Sequence, residues 1–134
     1  MKFHLSLPVS NIHKTAQFYR ILFQSEATKL KDDYVKFEPE RLALTISFIQ
    51  SKSSSIDTSQ HLGLQFVSSE KLDAYYQWLD KHQLISKTKS REKAVCCYAN
   101  QDKFWVNDPD GYEWELYYRI DDSDYKSQAS QCCK

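Results

Sequence analysis

Along FHLSLPV, residues 3–9, apolar Phe3, Leu5 and Leu7 alternate with His4 and Ser6, and HLGLQFV, residues 61–67, runs in the same way through Leu62, Leu64 and Phe66. That period of two predicts strands with one face buried. Each segment leads into apolar residues at helical spacing, NIHKTAQFYRILF from Asn11 and SSEKLDAYYQWLD from Ser68. Asn11, and Ser68 or Ser69, stand where a side-chain oxygen would cap the first turn. Shorter extended candidates follow each helix, at 27–30, 34–38 and 42–49, and then at 85–89, at 95–98 or 103–106, and at 112–120.

The chain therefore repeats itself. HLSL at 4–7 recurs as HLGL at 61–64, and FYRIL at 18–22 keeps the same offset of 57 against YYQWL at 75–79. EPERLALTI at 38–46 parallels DPDGYEWEL at 108–116 at a different offset. The expected organisation is one domain over 1–120: module one at 1–50, a polar connector SKSSSIDTSQ at 51–60, and module two at 61–120. The remainder, 121–134, has too little apolar content to order itself and is expected to be a flexible tail. Two βαβββ modules imply an α+β fold in which a curved mixed sheet encloses a cavity, with the helices outside.

Composition narrows the function classes. With 134 residues, 41% hydrophobic and only 2 Gly and 3 Pro, the chain can bury a core of its own. Eighteen Lys and Arg balance eighteen Asp and Glu without clustering, which argues against nucleic acid or an anionic membrane as partner. MKFHLSLPVSN has no signal-peptide pattern and no apolar run is long enough to span a bilayer, so the expectation is a cytoplasmic protein, monomeric or homodimeric. The four cysteines form two adjacent pairs, Cys96-Cys97 and Cys132-Cys133, unlike the scattered spacing of a disulfide scaffold. Neighbouring cysteines bond only through a strained small ring, so free thiols are expected.

In such strands, residues two apart share a face. His4 then lies with Ser6, His61 with Gly63 and Gln65, and Glu115 with Glu113 and Tyr117, opposite the apolar face that packs under the helices. Two histidines at equivalent positions of a repeat plus one carboxylate form a set that suits non-haem Fe(II) and leaves coordination positions open. His4, His61 and Glu115 are the expected metal-ligating and catalytic residues, with Glu113 as the alternative carboxylate. The repeat alignment matches Thr45, a poor ligand, to Glu115. His13 and His82 read as surface residues. A strand histidine is more commonly an ordinary hydrogen-bonded side chain, and it is the pairing through the repeat that lifts these two above that reading.

The paired modules, HLSL with HLGL, and DPDGYEWEL resemble the vicinal oxygen chelate superfamily of glyoxalases, bleomycin and fosfomycin resistance proteins and extradiol dioxygenases. KDDYVKF at 31–37 and CCYANQDKFWVNDPDGYEWE at 96–115 are more narrowly similar to the carbon–arsenic lyase and cadmium-induced protein group. That resemblance implies an Fe(II)-dependent dioxygenase, with O2 as co-substrate, that cleaves the C–As bond of a methyl or aromatic trivalent organoarsenical and releases arsenite. It implies His4, His61 and Glu115 as iron ligands and Cys96 and Cys97 as the substrate-binding thiols, since trivalent arsenic is soft and prefers thiolate to oxygen. In a straight strand the two thiols would face opposite ways, so a bend there is expected. Partly buried filler is the plainer reading of the cysteines. Gly63 either leaves room for substrate or marks a close backbone contact, and Tyr34, Phe37, Tyr98 and Trp105 are either walls of the site or core. Two other functions compete: another metalloenzyme of the superfamily, a glyoxalase or thiol-transferring resistance protein, and a non-catalytic protein that sequesters Cd(II) or As(III).

Overall fold

The computed structural model describes residues 1–52, 60–96 and 98–122, with Cys96 described by its backbone alone. Most of the expected connector, Cys97, and the expected tail beyond residue 122 with Cys132 and Cys133 lie outside the described residues. Two compact units make up the chain, Met1–Asp57 with Asp108–Gly111, and Thr58–Asn107 with Tyr112–Lys134.

In the first unit β1 (Phe3–Val9) leads into α1 (Ile12–Leu22), followed by β2 (Lys29–Lys31), β3 (Tyr34–Phe37) and β4 (Leu44–Gln50). The sheet runs β1-β4-β3-β2, with β1 parallel to β4 and the other pairs antiparallel. A parallel pair needs a crossover, and α1 lies within it. Asn11 Oδ1 accepts from the Lys14 backbone N–H at 3.0 Å, which caps the helix as its position in the sequence predicts. The helix then buries Ile12, Thr15, Phe18, Tyr19 and Leu22, a single stripe at helical spacing. Tyr19 stacks on Phe48 of β4 with ring centres 4.2 Å apart.

The second unit repeats this plan with β5 (His61–Phe66), α2 (Ser69–Lys81), β6 (Glu92–Cys96), β7 (Ala99–Asn107) and β8 (Glu113–Asp122) in the order β5-β8-β7-β6. Here β5 is parallel to β8. Ser68 is the cap, its Oγ accepting from the Lys71 N–H at 3.3 Å. Both helices stop in the same way: Gln24 and Gln83, each just past the C-cap, adopt positive φ of 49° and 60°. On the helix-facing side Phe104, Val106, Trp114 and Leu116 are buried with Leu72 and Leu79. One charge sits among them, Asp102, which accepts two hydrogen bonds from Arg91 at 2.9 and 2.7 Å. Those bonds raise the pKa of the guanidinium above its ordinary value. Among the described residues no helix is long and apolar enough to cross a membrane.

The strand expected at 85–89 does not form. Ile85 makes only an isolated bridge to Val106, and the Ser86 hydroxyl accepts from the N–H groups of Thr88 and Lys89, which folds that segment into a turn. Both alternatives for the middle strand exist instead, as β6 and β7, and they pair antiparallel.

Register also differs from the sequence alignment. His4 pairs with Thr45 and His61 with Glu113, so the partner position that Glu115 fills in β8 belongs to Ser47 in β4, two residues beyond Thr45. The buried run Ile46, Ser47, Phe48 matches Trp114, Glu115, Leu116 in the same alignment. An ungapped comparison misses this because Ser47 stands eight residues after Pro39 whereas Glu115 stands six after Pro109.

The DPDG segment packs with the first unit. Tyr19 Oη donates to Asp108 Oδ2 at 2.8 Å in a buried hydrogen bond, and the Ser10 N–H donates to Asp110 Oδ1 at 3.0 Å. Gly111 closes the turn, its N–H donating to the Asp108 carbonyl at 3.0 Å, with φ of 94° that a side chain would strain.

Candidate metal centre

The parallel pairing of β5 and β8 sets Gly63 opposite Glu115, which makes His61 its diagonal neighbour on the same sheet face. His61 Nε2 accordingly lies 3.5 Å from Glu115 Oε2. The Glu115 side chain is only 8% exposed and that of His61 35%. On β7, Trp105 is registered with Glu115, is fully buried, and meets the His61 ring edge-on with centres 5.4 Å apart.

Two lysines complete this face. Lys89 Nζ stands 4.1 Å over the Trp105 ring and bonds Glu113 Oε1 at 2.6 Å, so the alternative carboxylate already has a cation. Lys103 Nζ, on a side chain with no exposure, lies 3.4 Å from Glu115 Oε1 and 3.7 Å from Glu92 Oε1. Sequence reasoning missed Lys103. The available signal was its parity, between Gln101 and Trp105 and opposite to that of the apolar Phe104 and Val106.

Glu115 Oε1 is buried and makes no hydrogen bond with the described residues; its contact with Lys103 is an ion pair without hydrogen-bond geometry. A buried anionic oxygen is costly unless a cation or donor meets it. Lys103 is the cation that meets Oε1, which leaves Oε2 beside His61 Nε2, and imidazole and carboxylate side by side fit a divalent metal ion. Within either unit, among the described residues, no three His, Cys, Asp or Glu side chains are grouped to hold an ion, so these two donors need further ligands.

The remaining expected residues are placed as follows. His4 is exposed on β1, on the strand face shared with Ser6 and at the repeat position of His61. Cys96 ends β6 with its backbone paired to Ala99, and Tyr98 has φ of 65°, so the chain reverses between Cys96 and Ala99. Cys97 and the Cys96 side chain lie outside the described residues. Gly63 has room for a methyl group, which would meet the Glu115 carbonyl at 3.4 Å and the Tyr117 ring at 3.7 Å, both ordinary contacts. Phe37 belongs to the core against Phe23, Tyr98 is exposed, Tyr34 is half-buried, and Trp105 alone of these four contacts a candidate ligand. His13 is exposed, while His82 is half-buried against Trp78.

Doubled βαβββ topology with a histidine–carboxylate pair on one sheet face defines the class, and the chain belongs to the Glyoxalase/Bleomycin resistance protein/Dioxygenase superfamily, which matches residues 3–116. Within it the chain is 37% identical over 115 residues to the trivalent organoarsenical cleaving enzyme of Bacillus sp. (strain MD1), covering 86% of this chain and 71% of that one. It is 34% identical to the probable trivalent organoarsenical cleaving enzyme of Bacillus subtilis (strain 168), covering 97% and 88%. It is 30% identical to the cadmium-induced protein CadI of Mycobacterium bovis, covering 96% and 90%. Among solved structures, the glyoxalase/bleomycin resistance protein/dioxygenase of Alicyclobacillus acidocaldarius shares the fold with a TM-score of 0.71 at 17% identity, covering 90% and 92%. The fosfomycin resistance protein FosX of Listeria monocytogenes, solved with Mn(II) and sulfate, does so with a TM-score of 0.66 at 22% identity, covering 87% of each.

Proposed function

We propose that this chain is an Fe(II)-dependent dioxygenase that cleaves the C–As bond of trivalent organoarsenicals, with His4, His61 and Glu115 as metal ligands and Cys96 and Cys97 as the thiols that take arsenic. The observation that carries the metal half is the 3.5 Å approach of the partly exposed His61 Nε2 to Oε2 of the buried Glu115. The substrate half is supported by the two Bacillus relatives, whose names state organoarsenical cleavage.

Fe(II) held there would supply the redox chemistry through which O2 is used. The protein's own part is positioning. Thiolates of Cys96 and Cys97 would suit soft arsenic, while the imidazole and carboxylate suit a harder ion, so substrate and metal are held by different donors. Trp105, registered with Glu115, and Lys103, 3.4 Å from its Oε1, are both fully buried, and Oε1 itself is out of reach of water. For methylarsonous acid the balance closes with one O2: arsenite and formaldehyde form, carbon is oxidised, and arsenic stays trivalent.

The test is to load the apoprotein with Fe(II) without oxygen, add methylarsonous acid and then O2, and follow inorganic arsenite. Stoichiometric arsenic release on repeated turnover is the expected result, and no arsenite from the wild type would sink the reading. A second reading, sequestration of Cd(II) or As(III) on the thiols, is favoured by the name of the cadmium-induced relative. Metal uptake that survives Glu115→Ala, without turnover, would support it. Ser47 at the position matched to Glu115 argues against a glyoxalase that draws a fourth ligand from the repeat.

A further inference from the structure

Lys103 is the one buried ammonium among the described residues, and it stands between two carboxylates of neighbouring strands, Glu92 on β6 and Glu115 on β8. Its place is dictated by register: β7 pairs Lys103 with Glu92 on one side and with Tyr117, two residues from Glu115, on the other. The two oxygens of Glu115 are consequently divided, Oε1 at 3.4 Å from Lys103 Nζ and Oε2 at 3.5 Å from His61 Nε2. A carboxylate whose oxygens face different partners has a defined rotation about its last bond, whereas one with a single partner can turn either oxygen to it.

We propose that Lys103 is a positioning residue for Glu115, holding Oε1 through a buried ion pair so that Oε2 is the oxygen presented beside His61 to a metal ion. The assignment rests on Glu115 being a metal ligand, as put forward above. The first unit has no such device, because register places Tyr34 of β3 where β7 has Lys103 and Ser47 where β8 has Glu115. Carboxylate and supporting lysine therefore occur together in one unit and are both missing from the matching positions of the other.

Charge and positioning predict opposite signs, which makes the assignment testable. A lysine that only added positive charge near a cation would repel it, so its removal would tighten metal binding. A lysine that orients the ligand makes binding weaker when lost, by about 10- to 100-fold as for other groups that support a metal ligand. The experiment is an anaerobic Fe(II) titration by chelator competition on the full chain as wild type, Glu115→Ala, Lys103→Met and the double variant Lys103→Met/Glu92→Gln. Circular dichroism and thermal melts report folding. Methionine keeps the length and flexibility of the lysine stem, and the double variant also neutralises Glu92, the other carboxylate that Lys103 pairs with, so one of the two carries the comparison if the other misfolds. The expected result is weaker Fe(II) binding in folded Lys103→Met variants. Equal or tighter binding there, with binding lost in Glu115→Ala, would overturn the role of Lys103 while leaving the metal site standing. Equal binding by wild type and Glu115→Ala would instead remove the metal-ligand reading itself.

Discussion

The two units are built to one plan and differ in what they place on one sheet face. Each has a parallel pair of strands joined by a capped helix, and Phe48 in one and Leu116 in the other fill matching core positions. On the opposite face Ser47, Thr45 and Tyr34 of the first unit hold the register positions that Glu115, Glu113 and Lys103 hold in the second. Lys36, which matches Trp105, makes a half-exposed ion pair with Glu38 at 3.3 Å. Scaffold and chemistry have thus been separated: apolar residues on the helix side maintain both sheets, and charge has been concentrated on the other side of one.

The largest effects should fall on what the units share. Phe48→Ala is expected to cost about 3–5 kcal/mol and Leu116→Ala about 2–5 kcal/mol, read from denaturant midpoints. If one proves neutral, the matching of the two cores is wrong. Next comes what they do not share: Glu115→Ala should lower arsenite formation by at least about 100-fold, beyond the loss typical of a residue that merely supports a ligand. Ser47→Ala should leave it within about twofold, for a serine that ligates nothing. Comparable losses in both would erase the asymmetry.

A smaller effect tests the DPDG segment of the first unit. Tyr19→Phe removes the buried 2.8 Å bond to Asp108 and should destabilise by about 1–3 kcal/mol. Asp108→Asn keeps an acceptor oxygen and should cost less; the reverse order would show that Tyr19 is not its main support. Smallest are the caps, where Asn11→Ala and Ser68→Ala should each cost about 1 kcal/mol, visible as a drop in melting temperature. Unequal losses would mean that one helix relies on packing and the other on its cap.

Much of this could be read along the chain because it is local. Period-two alternation separates His4, His61 and Glu115 from the residues expected under the helices, and burial follows it along β5 and along β1 from Leu5 on, whereas Phe3 at the strand end is exposed. Asn11 and Ser68 announce their helices because a cap acts on residues three positions on. The repeat itself reveals the doubled topology, since a module that recurs in sequence recurs in structure.

Only the tertiary structure decided the rest, and each case turns on a partner distant in sequence. Ile85 looks like the start of a strand until the Ser86 hydroxyl captures the turn and β7 pairs with β6 instead. Thr45 looks like the counterpart of Glu115 until strand pairing selects Ser47. Glu113 and Glu115 are indistinguishable by parity, yet Lys89 binds the first at 2.6 Å and the second stands beside His61. Lys103 reads as an ordinary surface charge until β6 and β8 bury it between Glu92 and Glu115. Sequence determined which side chains share a face, because that is a property of backbone period. Structure determined which of them meet, because that depends on register between strands far apart in the chain.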